Sequence, residues 1–531
     1  MNRNILRKAA LFSLALGLIL TGAFQTMAQE EVSNPQRGFQ PGSSYSMSDI
    51  ESINTTNGNL VLNIPLAVLP AGRGGMRRSV SLTYNSKLYD TSVEELLDHS
   101  NQMTDQNMLD DSPDGGWKYT FSTYRVDVKS RFDTAPPIPC DGSAGQISKN
   151  IYMLKVLMNM PDGSAREFRP TGRTDLYNDG YFDISPSGYQ MRGCNGSPSL
   201  ATSSPMVYYS TDGSYSKLVF EHVAGADPWG QNSPWTLYLA DGSRINSGGR
   251  TDRNGNTQSG LSDDVGRSIS VQYNAAPNED HITMGGAGNQ ELKWKVKWKD
   301  ISVSKSYKTT AANSGRLRGG TSTQTASMMH RVVERITLPV QTGGWYYEFE
   351  YNSENAGDGW GEISRIKLPS GATTDYQFST PLEWQEFLAK TEGVLRTHPT
   401  SKTLTYMSEY DGSTSAVSEV TQYSIGKTSS TITAPDGSVT TEKHGDISIH
   451  NPMSGLVKKI ANSSGGKTER IWGFNRPTGA NTTANINAYV KTEFTTIADG
   501  SGNPTLTAIK DITVDCEWKS DRDQRVRLCS V

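Results

Sequence analysis

Histidine and cysteine are scarce in this chain, seven and four among 531 residues. That scarcity removes most metal and nucleophile chemistry at once. There is no His-Glu-x-x-His run and no Cys-x-x-Cys pair, so a zinc centre has no sequence support. A Gly-x-Ser-x-Gly elbow and a glycine-rich phosphate cradle are absent as well. Long apolar runs are missing too. Only Ala9 to Leu20 approaches one, and it is shorter than a membrane-spanning helix needs. No polybasic or amphipathic segment marks a membrane surface. Cation excess is also lacking: the net charge is −4, or −7 without Arg3, Arg7 and Lys8. That balance offers no electrostatic footprint for nucleic acid.

Residues 1–28 read as a secretion signal. Arg3, Arg7 and Lys8 form the basic start, Ala9 to Leu20 the apolar stretch, and Thr26-Met27-Ala28 places small residues where a signal peptidase reads. A retained anchor is the alternative. No cysteine follows the apolar run, so no lipid anchor is expected there. The expected destination is the periplasm, cell surface or exterior. An oxidising compartment would permit a Cys140–Cys194 disulfide, with two buried thiols as the alternative.

What the chain does contain is turn punctuation. Asp-Gly-Ser begins at Asp141, Asp162, Asp212, Asp241, Asp411, Asp436 and Asp499. Glycine supplies the positive φ that a tight hairpin demands, because it has no Cβ to clash. Between these signals apolar and polar residues alternate, as in Trp294-Lys295-Val296-Lys297-Trp298 and Trp345-Tyr346-Tyr347-Glu348-Phe349-Glu350-Tyr351. A period of two sends aromatics to one sheet face and charges to the other. Hydrophobic content of 35% and a mean hydropathy of −0.55 fit sheets with one wet face. Short helices are expected around Val93–Leu97, extending toward Leu109, and around Leu382–Leu388. The predicted class is all-β: successive antiparallel hairpins forming a curved, open sheet assembly.

Two adjacent segments add a resemblance. Asp252-Arg253-Asn254-Gly255-Asn256 is followed by Asp264-Val265-Gly266-Arg267-Ser268-Ile269 and Val271-Gln272-Tyr273. This resembles the DxNGN and DxxGRxxxxxY pattern of the RHS, or tyrosine-aspartate (YD) repeat, family of secreted proteins. Ile366–Tyr376 is similar to a further repeat. Asn54-Thr55-Thr56-Asn57-Gly58-Asn59-Leu60 with Ser81-Leu82-Thr83-Tyr84-Asn85 is similar to the amino-terminal region of long bacterial members. The resemblance covers most of 49–515. It implies a sheet coiled into a shell that can enclose a carboxy-terminal polypeptide, with tyrosines packed between strands. The family's glycine-rich closing segment and effector domain have no counterpart here, so an open wall is expected rather than a closed one.

The expected organisation is a leader at 1–28, a linker at 29–48, an amino-terminal β region at 49–250, YD-like repeats at 251–380, further hairpins at 381–515, and an irregular tail at 516–531. A shifted reading frame over that tail can encode another repeat with an Asn-Gly turn and a closing Tyr-Asp. On that reading the chain is a truncated form of a longer protein.

No catalytic, cofactor-binding or metal-binding residue is nominated. His444 and His450 flank Asp446, but turn and strand positions account for them. Asp252, Asn254 and Asn256 have the alternating spacing that opens a calcium loop, with Asp263 at its twelfth position, yet Thr257 occupies the sixth, where that loop requires glycine. Trp229, Trp235, Trp294, Trp298, Trp345 and Trp360 would serve either sheet packing or sugar stacking. The expected function is a non-enzymatic shell or scaffold segment that walls, presents or contacts a polypeptide partner. The alternative is a carbohydrate-binding or adhesive module using exposed tryptophans.

Overall fold

The computed structural model describes residues 45–47, 50–72, 75–97, 103–111, 115–121, 124–139, 146–160, 165–170, 182–183, 190–191, 205–210, 214–221, 234–263, 266–312, 321–339, 344–352, 359–379, 397–410, 413–426, 428–445, 453, 455–475, 486–499, 502–511, 515–521 and 524–530. Strands account for 69% and helix for 1%, so the class is all-β, built from curved antiparallel sheets.

Five strands, Tyr45–Met47, Glu51–Asn54, Leu60–Val68, Ser79–Asn85 and Gly116–Thr120, form an amino-terminal antiparallel sheet in that order. In Leu60–Val68 the side chains of Leu60, Leu62 and Ile64 are buried while those of Asn63 and Pro65 are exposed. Pro65 has no N–H for the ladder, and the register slips between Pro65 and Ala67. The slip turns both Leu66 and Ala67 inward.

A middle sheet of eleven strands runs from Arg125–Pro139 to Thr257–Gln258. It has its own core of Val156, Met158, Phe168, Tyr208, Phe220 and Leu237, among others. The large sheet has seventeen strands. It proceeds in sequence order from Ile269–Ala276 to Pro504–Asp511, each strand beside its predecessor, and curls into a half-barrel. Its order ends on the hairpin Tyr89–Leu97 and Met103–Asp111, whose second strand also meets the far end of Glu291–Ala312, pairing Ala311 with Gln106. The amino-terminal sheet and the large sheet share one core: Leu62, Leu82, Tyr84 and Trp117 pack with Trp294, Val296, Trp298, Phe349 and Ile366.

Three expectations need correction. Val93–Leu97 is no helix, nor is the run from Met103 toward Leu109, for Tyr89–Leu97 pairs with Met103–Asp111 over nine residue pairs. The Val93-Glu94-Glu95-Leu96-Leu97 run suits either period, and ladder pairing decides it. The tail is not irregular either: Asp515–Asp521 pairs with Gln524–Ser530, placing Cys516 opposite Cys529. The boundaries at 250 and 380 do not separate structures. The strand Gly249–Thr251 crosses the first, and the ladder continues from Thr373–Phe378 to Pro399–Tyr410 across the second. Leu382–Leu388, Cys140 and Cys194 lie outside the described residues.

Eight described turns share one geometry. The first residue donates its N–H to the carbonyl four residues on, and a glycine at the fourth position donates back to the first carbonyl. The glycines are Gly75, Gly242, Gly255, Gly266, Gly371, Gly437, Gly465 and Gly502, with φ between 76° and 88°. This is a type I turn closed by a left-handed residue, a frequent three-residue hairpin connection. In Asp241-Gly242 and Asp436-Gly437 the motif's own glycine takes the left-handed position. In Asp499-Gly500-Ser501-Gly502 it is Gly502 that does, because closure begins at Asp499. The turn residues Asp141, Asp162, Asp212 and Asp411 lie outside the described residues.

Candidate functional site

Aspartate has two separate tasks in these turns. At the third position it caps the strand that leaves: Asp241 and Asp436 each accept from a backbone N–H two residues on, Ser243 and Ser438, at 2.8 Å. At the first position it clamps the fifth residue twice. Asp252 accepts from the Asn256 backbone N–H at 2.8 Å and from its Nδ2 at 2.7 Å. Asp263 does the same with Arg267, through N at 2.9 Å and Nε at 2.6 Å. The Asp-x-x-Gly-Asn/Arg spacing therefore states a hydrogen-bond geometry. Its aspartate oxygens point into their own turn. Asp252 also accepts from the Asn254 N–H at 2.8 Å, so this carboxylate faces amide donors instead of opening as a cation ligand.

The contact between the amino-terminal sheet and the large sheet is fastened by polar groups set in an apolar field. Glu51, nearly fully buried, accepts from the Tyr376 hydroxyl and pairs with Lys402 Nζ. Thr55 Oγ1 donates to Glu442 at 2.7 Å, and Lys87 Nζ to the Thr397 carbonyl at 2.8 Å. Trp117 Nε1 donates to the Tyr351 hydroxyl at 2.8 Å, which itself donates to the Val333 carbonyl at 2.7 Å. Asp280 receives Tyr119 at 3.0 Å, Trp298 Nε1 at 2.8 Å and the Asn274 N–H at 2.8 Å. Each acid has donors around it, the condition under which a carboxylate can be buried. Burial raises the pKa of Tyr84, Tyr119 and Tyr376, with Glu362, Asp280 and Glu51 respectively adding to it, so these phenols stay protonated. Tyr119 and Tyr376 donate to their acids, while Tyr84 accepts from the Ile363 N–H.

Beyond this seam the same face of the large sheet loses its cover. Register traces one row from Ile425, which packs on the shared core, through Ser430, Glu442, Ile460, Thr468 and Thr495 to Ala508. Ser430 and Glu442 are each 2% exposed. Ile460, Thr468 and Thr495 are half-buried, and Ala508 is exposed. All eight residues of Pro504–Asp511 are exposed, including Leu506 and Ile509. The face is thus sealed at one end and open at the other.

Among the described residues, the tryptophans singled out by sequence do not form a platform. Trp294, Trp298 and Trp360 are buried in the shared core. Trp235 is half-buried, Trp345 is 55% exposed, and Trp229 lies outside the described residues. Trp117, which the sequence reading passed over, turns out to be central; its Gly-Trp-Lys-Tyr-Thr setting carried only a weak alternation. Among the histidines, His444 is buried with Nδ1 3.0 Å from the Gly445 carbonyl, while Asp446 and His450 lie outside the described residues. His330 meets the Tyr89 hydroxyl at 2.7 Å, and that hydroxyl donates to the Trp360 carbonyl. Among the described residues no group of three or more His, Cys, Asp or Glu is placed to hold a metal ion.

No family model matches the chain, and no curated protein sequence matches it. The geometry therefore has to carry the functional reading.

Proposed function

We propose that the chain is an exported, non-enzymatic wall or scaffold segment of RHS/YD-repeat type. Its work is to contact a polypeptide partner along the uncovered continuation of the curled sheet. One observation carries this reading: a single face passes from a buried seam at Ser430 and Glu442 through half-buried Thr468 and Thr495 to exposed Ala508 without a break in register. The half of the face that is covered is covered by another part of the same chain, so its chemistry already accepts polypeptide. The turn clamps support the wall role, since they fix strand order and curl without any ligand.

The carbohydrate-binding alternative rested on exposed tryptophans, and burial of Trp294, Trp298 and Trp360 lends it no support. The test is site-specific photo-crosslinking in the exported fraction, with the reactive group at Thr468 or Thr495 on the row and at Glu469 on the opposite face. One polypeptide trapped from both row positions and not from Glu469 is the expected result. Equal trapping from both faces, or none from the row, ends the reading. Export itself is checked by N-terminal sequencing of the mature protein, which is expected to begin at Gln29.

A further inference from the structure

Arg78 is 2% exposed. It immediately precedes the strand Ser79–Asn85 and continues the row of Val80, Leu82 and Tyr84 that faces the shared core. Its main chain is fixed, the carbonyl accepting from the Leu69 N–H at 2.8 Å. Its side chain is another matter. Nε and Nη2 are both buried, and neither has a hydrogen-bond partner. Burial lowers this arginine's pKa, with no acid offsetting it.

Those two nitrogens share one edge of the guanidinium. That edge is the side-on fork, whose parallel N–H groups match two oxygens of one carboxylate or phosphate. A neighbouring arginine shows the fork satisfied: Arg267 places Nε on Asp263 at 2.6 Å and Nη2 on the Pro70 carbonyl at 2.9 Å. The other buried cations of the seam also have acceptors, Lys87 on Thr397 and Lys402 on Glu51. Arg78 alone among these three has none. An uncompensated charge at such depth is strongly unfavourable, so the fold retains it at a cost that a bound anion would relieve.

We propose that the Nε–Nη2 fork of Arg78 is a binding site for an oxyanion that offers two oxygens on one centre, a carboxylate or a phosphate. Arg77, exposed beside it, adds a second positive charge to the connection between Leu60–Val68 and Ser79–Asn85, where the charge of Arg267 is already answered by Asp263. The fixed fork selects a bidentate anion over chloride, which offers a single centre. This site is independent of the partner-binding face, and either can fail without the other.

The experiment is thermal unfolding of the full chain in acetate, in inorganic phosphate and in chloride at equal ionic strength, with R78M and R78K alongside. The wild-type midpoint is expected to rise saturably by a few degrees in acetate or phosphate and not in chloride. The stronger of the two identifies the ligand as carboxylate-like or phosphate-like. R78M, which removes the stranded charge and keeps much of the volume, is expected to melt above wild type in chloride and to ignore both oxyanions. R78K keeps a charge but no fork, and is expected to lose most of the saturable rise. Three results would each overturn the proposal: no saturable rise in wild type, the same rise in R78M or R78K, or R78M melting below wild type in chloride. If R78M does not fold, R78K against wild type decides.

Discussion

At the scale of single residues the turns explain why a few residue types recur. Gly437 has φ of 81°, and a Cβ added there would meet nothing within 4 Å. The only penalty on a side chain is therefore the left-handed backbone. Gly437→Ala is expected to destabilise the chain by about 1 kcal/mol, and Gly437→Asn by less, measured by denaturant unfolding. The clamp aspartates add a pH dependence. Hydrogen bonds from the Asn256 side chain and then from the turn's amides hold the Asp252 pKa below its usual 3.8. A depressed carboxylate contributes stability above its unfolded pKa and loses it as pH falls through the folded one. Wild type is thus expected to lose more stability than D252A on acidification below 3.8, and equal acid sensitivity of the two would contradict the clamp. Much of this was legible in the sequence, because Asp-x-x-Gly-Asn spells out its own bonds. The exact glycine was less so at Asp499, where two glycines compete and the closing pair settles which one turns.

At the scale of elements, alternation predicted strands well wherever aromatic and charged residues took turns, as in Trp294–Trp298. It failed at Val93–Leu97, where five residues fit a helical face and a strand equally, and pairing with Met103–Asp111 selects the strand. Nor could it show which strands meet across the seam, since Glu51 and Lys402 are 351 positions apart. That ion pair gives an element-level test. Lys402→Met leaves Glu51, 3% exposed at its side chain, with a buried charge answered by Tyr376 alone. The variant is expected to lose about 3 kcal/mol, and adding Glu51→Leu is expected to restore most of it. Unfolding free energies around the double-mutant cycle check this, and additive losses would mean that the two residues do not act as a pair.

At the scale of the whole molecule, the shared core is concentrated where the amino-terminal sheet lies, and it thins toward Pro504–Asp511. Stability should follow. Backbone amides in Trp294–Trp298 are expected to exchange with solvent at least about a hundredfold more slowly than those in Thr505–Ile509, as read by hydrogen exchange. Uniform protection across the large sheet would mean that its open end has cover of its own. Sequence order revealed the long meander because each strand follows its predecessor, but it could not reveal that residues 49–250 divide among three sheets around two separate cores. That division depends on which apolar rows face one another, and periodicity within a strand carries no such information.

The antiparallel reversals from strand to strand also govern how such a wall can change length. Removing two consecutive strands leaves every later strand running in its original direction and showing its original side to the interior. Removing one would reverse all that follow and move their connections to the opposite rim. Insertions and losses along this lineage should therefore accumulate in even steps, one complete hairpin at a time.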